Sequence, residues 1–248
     1  MSLMPYIALF ASAMIGGAIG VYLDQQKSKQ YLQFILPFSG AFLLGIVVLH
    51  MLPEVFYENE GAHLMGVFIL GGFLLQNLLE FLSRGVEHGH IHAKKDHNKL
   101  YILSIMVGLC AHAFIEGLPV AQAAMVHAGH GHTESFIGRP YLWGIVAHKL
   151  PAAIALSILL LASEVKKSAM FLLILIFALM SPLGTFVSEL TAITAETQRA
   201  ILAISIGFIL HIATTIIFET DTNMHHSISY RKLLGVILGF GLAFLSLI

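Results

Sequence analysis

Charged side chains are scarce in this sequence. Only 11% of its 248 residues are Asp, Glu, Lys or Arg, and 57% are hydrophobic, whereas roughly a quarter of an ordinary soluble domain is charged. This deficit excludes a soluble globular domain, and no nucleic-acid partner is expected. The low charge and the high apolar content together predict a polytopic membrane protein.

Cysteine is almost absent as well. Cys110 is the only cysteine, which excludes an intrachain disulfide and disfavours a metal site built from thiolates. The HExxH sequence typical of zinc hydrolases is also missing. Histidine and carboxylate side chains are left as the candidate metal ligands.

Long apolar segments take up most of the chain. A helix needs about 20 apolar residues to cross a hydrocarbon core roughly 30 Å thick. The first segment lacks a basic leader, so we expect it to be retained rather than cleaved. We predict a single all-α membrane domain over residues 1–248 with eight transmembrane helices, near 5–23, 31–57, 63–83, 100–126, 141–163, 168–190, 199–218 and 232–248.

The Lys and Arg residues are distributed unevenly among the loops between these spans. The first, third, fifth and seventh loops carry ten of the 13 cations, the other loops carry only Arg139 and Arg199, and Lys149 lies inside a span. Because cytoplasmic loops are enriched in cations, both termini are predicted to lie outside. We expect a multi-pass protein of the plasma membrane, or of the inner membrane in a Gram-negative bacterium.

Ionisable residues inside the spans are the strongest functional signal. They cost several kcal/mol at the bilayer centre and occur mainly where they line a pathway or have a partner. His112 and Glu116 in span 4 are four residues apart and so share one helix face, and span 5 contributes His148. Imidazole and carboxylate together suit zinc, iron or manganese. These three residues are the candidate metal ligands; the alternative is a hydrogen bond between helices.

Four further polar residues are candidate accessory residues. His50 and Glu54 lie in the outer part of span 2, Lys149 follows the span 5 histidine, and His211 lies in span 7. The alternative for the histidines is a hydrogen-bonded packing role. For Lys149 the alternative is a long stem that extends its ammonium group towards an interface or a neighbouring carbonyl.

Prolines accompany the polar residues of three spans. Pro53, Pro119 and Pro151 each lie three residues after one of them. Proline removes the hydrogen bond to the carbonyl four residues earlier. The freed backbone oxygens could line a cation pathway.

Histidine is also concentrated in three loops, at 87–97, 127–132 and 224–227. Tracts that alternate histidine with short residues are typical of weak metal binding, and an ordinary polar loop is the alternative. We call seven of these residues the loop histidines: His88, His90, His92, His97, His127, His130 and His132.

Segments of five spans resemble the ZIP (Zrt/Irt-like) divalent metal transporters. They are "SGAFLLGIVVLHMLPEVF" in span 2, "HAFIEGLPVA" in span 4, "HKLPAAIALSILL" in span 5, "SPLGTF" in span 6 and "GFILHIATTIIFE" in span 7. The resemblance implies eight helices, outside termini and a homodimer in which helices 1, 4, 5 and 6 move against the rest. It also implies transport of Zn²⁺, or of Fe²⁺, Mn²⁺ or Cd²⁺, into the cytoplasm as substrate, with no resident cofactor.

The resemblance places the primary metal site of the family on His112, Glu116 and His148. It also shows departures from the two-metal version of that site, because ligands of the second metal are replaced by Ala113, Lys149, Ala152 and Ser181. The second metal position therefore stays open, with Ser181 a further candidate accessory residue. We expect the Lys149 ammonium group to stand in for the second cation beside the glutamate.

Two other functions remain as alternatives at this point. An intramembrane zinc-dependent hydrolase would also place histidine and carboxylate at mid-depth, although no paired general base is evident. A structural membrane protein would not need ionisable groups on several spans. We predict a transporter and no enzymatic activity.

Overall fold

The computed structural model describes residues 2–22, 25–57, 61–86, 99–129, 140–191, 194–218 and 230–247, with side chains given for all of these except 25–30, 122–129 and 195. Within these ranges the chain forms eight helices and no strand. The second helix continues through a π-helical turn, Val47–Met51, into a last turn, Leu52–Phe56. The helices are α1 Met4–Tyr22, α2 Gln25–Ile46 with that continuation, α3 Ala62–Ser83, α4 Lys99–Gly129, α5 Pro140–Ala162, α6 Lys167–Leu190, α7 Ala195–Phe218 and α8 Tyr230–Leu245.

Seven of the helices in the described ranges are long and apolar enough to cross a membrane. The eighth, α8, has 16 residues, which corresponds to about 24 Å at 1.5 Å per residue and is shorter than a hydrocarbon core of roughly 30 Å. It packs along α2. The prediction of a polytopic all-α membrane protein is confirmed, whereas the side of the membrane on which the termini lie stays a prediction.

The helices pack in two groups. In the first group α1 packs against α5 and α6, and α4 packs against α6; in the second, α2 packs against α7 and α8, and α3 packs against α7. The groups meet mainly where α2 contacts α5 and where α3 contacts α4. Because α4 and α5 carry the three candidate ligands, the site lies in the first group, next to α3 of the second.

Small residues let neighbouring helices approach closely. A Cβ atom at Gly20 of α1 would lie 2.8 Å from the carbonyl oxygen of Ile154 in α5, and one at Gly235 of α8 would lie 2.8 Å from that of Phe34 in α2. Helix pairs in membranes gain much of their association energy from such close packing. These contacts fix the register of α1 on α5 and of α8 on α2.

Helix α2 is irregular near its C-terminal end. The backbone N–H of Leu52 donates to the carbonyl of Val47, which widens the helix to a π turn that contains His50. Pro53, which has no N–H to donate, follows directly. Such turns occur frequently at functional sites, and this one determines where the His50 side chain leaves the helix.

Exposed apolar side chains cover the outside of the helices. On α3 they form one row on the side that faces away from α4 and α7. This row fits contact with lipid tails, in agreement with a membrane-embedded chain. It consists of Leu64, Val67, Leu70, Leu74, Leu78 and Phe81.

Candidate metal site

His112, Glu116 and His148 meet between α4 and α5. Their side chains are nearly inaccessible, with relative exposures of 2%, 3% and 1%. One ligand atom from each lies within 4.8 Å of the other two. In the part of the chain that the structure describes, no other group of three or more His, Cys, Asp or Glu side chains is arranged in this way.

One carboxylate oxygen is the centre of this cluster. Glu116 Oε1 lies 3.1 Å from His112 Nε2 and 3.9 Å from His148 Nε2, and the two imidazole ring centres are 6.0 Å apart. Ligand atoms bound tetrahedrally to zinc at about 2.0–2.1 Å are separated by roughly 3.3 Å. The two observed distances lie on either side of this separation, and all three ligand atoms are close enough to one another to surround one ion.

A glutamine from the other helix group contacts the cluster. Gln76 of α3 is fully buried, and its Oε1 lies 3.2 Å from His112 Nδ1. Because an amide oxygen only accepts, Nδ1 donates a hydrogen in this contact, and Nε2 is the ring nitrogen that a metal ion would bind. The sequence prediction missed Gln76; its signal was a polar amide inside an apolar span.

The second oxygen of Glu116 faces a cation. Lys149 Nζ lies 3.5 Å from Glu116 Oε2 and 4.8 Å from the ring centre of Phe177, and the lysine is 1% exposed. The ammonium group thus has a carboxylate and an aromatic face as partners. The two carboxylate oxygens have different neighbours, imidazoles on one side and ammonium on the other.

Hydrogen bonds to backbone carbonyls hold α4 in place around the glutamate. The Tyr141 hydroxyl of α5 donates to the carbonyl of Glu116 at 2.9 Å. From α6, the Ser181 hydroxyl donates to the carbonyl of Ala113 at 2.6 Å and the Thr185 hydroxyl to that of Gly117 at 3.0 Å. Ser181, which the sequence suggested as an accessory residue, therefore lies at the contact between α4 and α6.

The other candidate accessory residues lie outside the three-residue cluster. His50 Nε2 is 2.9 Å from Ser246 Oγ, next to the end of α8, and Glu54 is exposed. His211 Nε2 is hydrogen-bonded to Glu80 of α3, a residue that the sequence prediction missed.

The loop histidines cannot be placed. All of them except His127 lie outside the described residues, and the side chain of His127 is not described either.

A family model matches the larger part of the chain. The family model described as "ZIP Zinc transporter" matches residues 87–247, a region that contains α4 to α8 and all three clustered side chains. The chain belongs to the ZIP zinc transporter family. No individual curated protein matches it.

Membership of the ZIP family makes the protein a divalent metal transporter, as the sequence resemblance predicted. The buried imidazole and carboxylate cluster fits a metal site. ZIP proteins are transporters rather than enzymes, so the alternative of an intramembrane hydrolase is not favoured.

Proposed function

We propose that this ZIP protein carries zinc into the cytoplasm through a single-ion site formed by His112, Glu116 and His148. The observation that supports the proposal best is the arrangement around Glu116 Oε1, which lies within 4 Å of the Nε2 atom of each histidine. Two imidazole nitrogens and one carboxylate oxygen form a ligand set that zinc accepts in open, exchangeable sites, with a fourth position left for water.

A single ion fits the surroundings better than two. The neighbouring positions that could hold ligands of a second ion carry the methyl groups of Ala113 and Ala152, both buried. Glu116 Oε2, the oxygen that would bridge to a second metal, faces the Lys149 ammonium group at 3.5 Å. A second cation there would be repelled by a like charge in a medium of low dielectric constant.

Lys149 also gives the empty carrier a balanced charge. Without metal, Glu116 and the ammonium group form a neutral pair. An unpaired carboxylate inside the spans would raise the free energy of the empty protein. With zinc bound, the histidines and Oε1 hold the ion while Oε2 keeps its contact with the lysine. Lys149 therefore makes the empty site stable enough to return across the membrane.

The ligand types favour zinc among the divalent ions. Calcium and magnesium require mostly oxygen ligands, whereas two imidazoles suit a borderline metal. Within the first transition series, Mn²⁺ and Fe²⁺ bind nitrogen ligands less tightly than Zn²⁺ does. We expect Fe²⁺, Mn²⁺ and Cd²⁺ to compete with zinc rather than to replace it as the main substrate.

Two features support transport towards the cytoplasm. The cation-rich loops predict that the C-terminal end of α3 and the N-terminal end of α4 face the cytoplasm. The first helix group holds the three ligands, and Gln76 contributes from the second group. A movement of α1, α4, α5 and α6 against the rest would break the contact between Gln76 and His112 and so weaken zinc binding at release. We further propose that the protein lies in the plasma membrane and forms a homodimer.

Zinc uptake into proteoliposomes tests the function. Wild-type protein should accumulate zinc, and His112→Ala, Glu116→Ala and His148→Ala should each abolish uptake, because loss of one of three protein ligands removes most of the affinity. His63→Ala is the matched control, since His63 is exposed at the start of α3. Wild-type uptake by the double variant His112→Ala, His148→Ala would rule out this site.

A further inference from the structure

The buried ammonium group of Lys149 has two partners on two different helices. Its Nζ atom lies 3.5 Å from Glu116 Oε2 of α4 and 4.8 Å from the ring centre of Phe177 of α6. Lys149 and Phe177 are each 1% exposed and Glu116 is 3% exposed, so bulk water does not surround the charge. The carboxylate and the aromatic ring together therefore decide where the ammonium group lies.

The distance between the ammonium group and the carboxylate is longer than a usual charge-assisted hydrogen bond. An ammonium group that donates to a carboxylate normally lies about 2.7–2.9 Å from the oxygen, whereas Lys149 Nζ lies at 3.5 Å. The face of an aromatic ring attracts a cation within about 6 Å of its centre, most strongly where water is excluded. The Phe177 ring is thus a competing partner that draws the ammonium group away from the oxygen.

Contacts between α6 and α4 fix the position of this ring. Ser181 follows Phe177 by four residues on α6, and its hydroxyl donates to the carbonyl of Ala113 at 2.6 Å. The two backbones touch at Gly184, where a Cβ atom would overlap the carbonyl of Phe114. Since α4, α5 and α6 all belong to the first helix group, the ring, the ammonium group and the carboxylate would keep their arrangement if one group moved against the other.

Zinc in the proposed site would share the Glu116 carboxylate with Lys149. Oε1 faces the two histidines, and Oε2 faces the ammonium group. An ammonium group that moved closer would neutralise more of the carboxylate charge, and it would repel a divalent ion strongly in a medium of low dielectric constant. The affinity for zinc therefore depends on where the ammonium group is held.

We propose that Phe177 is a positioning residue for zinc binding, because its ring holds the Lys149 ammonium group back from Glu116 and so leaves Oε1 to the ion. The inference rests on the proposed transport function. Phe177 is not itself a ligand and acts through Lys149. Loss of the ring lets the ammonium group close onto the carboxylate, and zinc then binds less tightly although all three ligands are still present.

The zinc affinity of the purified full-length protein tests this role. Competition with a chelating indicator would measure it in a variant that lacks the loop histidines and both histidines of 224–227. Phe177→Leu should weaken zinc binding about tenfold, the size expected for a buried contact between a cation and a ring face. Phe171→Leu is the matched control, since it makes the same change on α6 at a position that is 59% exposed, and it should leave the affinity unchanged.

Two further sets of variants separate the charge on the ring face from the packing of the ring. Phenylalanine analogues with increasing numbers of ring fluorines keep nearly the same size but carry less negative charge on the face, so their incorporation at position 177 should weaken zinc binding stepwise. In a Lys149→Met background, Phe177→Leu should change the zinc affinity by no more than about twofold, because the ammonium group through which the ring acts is gone.

Each outcome decides for or against the positioning role. Equal losses of affinity on Phe177→Leu with and without the Lys149→Met change would show that the ring only supports packing, and would overturn the proposal. Unchanged or tighter zinc binding by the fluorinated proteins would overturn it as well. Both of these results leave the transport function standing, whereas failure of the wild-type chain to bind zinc would overturn the transport function together with this inference.

Discussion

Gln76 offers the most direct test of how the second helix group controls zinc affinity. Its amide oxygen lies 3.2 Å from Nδ1 of His112 in a fully buried position. In Gln76→Leu, the Nδ1–H group loses its acceptor and the imidazole loses the contact that orients it. Gln76→Glu restores an acceptor of similar size at the same place.

The expected loss can be worked out from this contact. A neutral hydrogen bond contributes about 0.5–1.5 kcal/mol, and a buried donor without a partner costs about 1–3 kcal/mol. A net loss of about 1.4–2.8 kcal/mol corresponds to roughly a 10- to 100-fold weaker dissociation constant. Outer partners of zinc-bound histidines typically contribute the same amount.

Competition with a chelating zinc indicator would measure this dissociation constant in purified protein. Gln76→Leu should weaken binding 10- to 100-fold, Gln76→Glu should bind within a few-fold of wild type, and Gln33→Leu, a change at an exposed position on α2, should have no effect. Thermal unfolding of each variant separates loss of affinity from loss of folding. Wild-type affinity in folded Gln76→Leu protein would show that the contact does not orient His112.

Two further predictions concern charge and topology. Lys149→Ala should slow zinc uptake without abolishing it, because the ligands remain while Glu116 Oε2 loses the ammonium group at 3.5 Å. In a variant that lacks the loop histidines, the amount of bound metal should be one ion per subunit. Two tightly held ions per subunit, both lost on Glu116→Ala, would contradict the single-ion site. In a Cys110→Ser background, cysteines placed at positions 59 and 133 should react with an impermeant thiol reagent from outside, whereas cysteines at 94 and 227 should not. The reverse labelling pattern would invert the topology.

The sequence was sufficient to predict the membrane class and the clustered residues of the site. Apolar runs of about 20 residues define spans because the bilayer has a fixed thickness. The spacing of four residues places His112 and Glu116 on one helix face, since a helix repeats every 3.6 residues. His148 was predicted from its resemblance to the family and from its depth in the next span.

The partners of these residues could not be read from spacing. Gln76 lies 36 residues before His112, and Glu80 lies 131 residues before His211. Nothing in a single sequence gives the rotation of α3 relative to α4 and α7, because that rotation depends on how small residues on each surface fit together. Gln76 and Glu80 were therefore missed, because they lie within an apolar span.

The sequence by itself determined that this chain is a membrane protein with imidazole and carboxylate side chains inside its apolar spans, because hydrophobic length and residue chemistry are local properties. Only the tertiary structure decided that Glu116 turns one oxygen to two histidines and the other to Lys149. It also decided that Ser181 donates to the backbone of α4 rather than joining the cluster. These outcomes depend on contacts between helices, which are fixed by close packing of whole surfaces and not by the order of residues along any one helix.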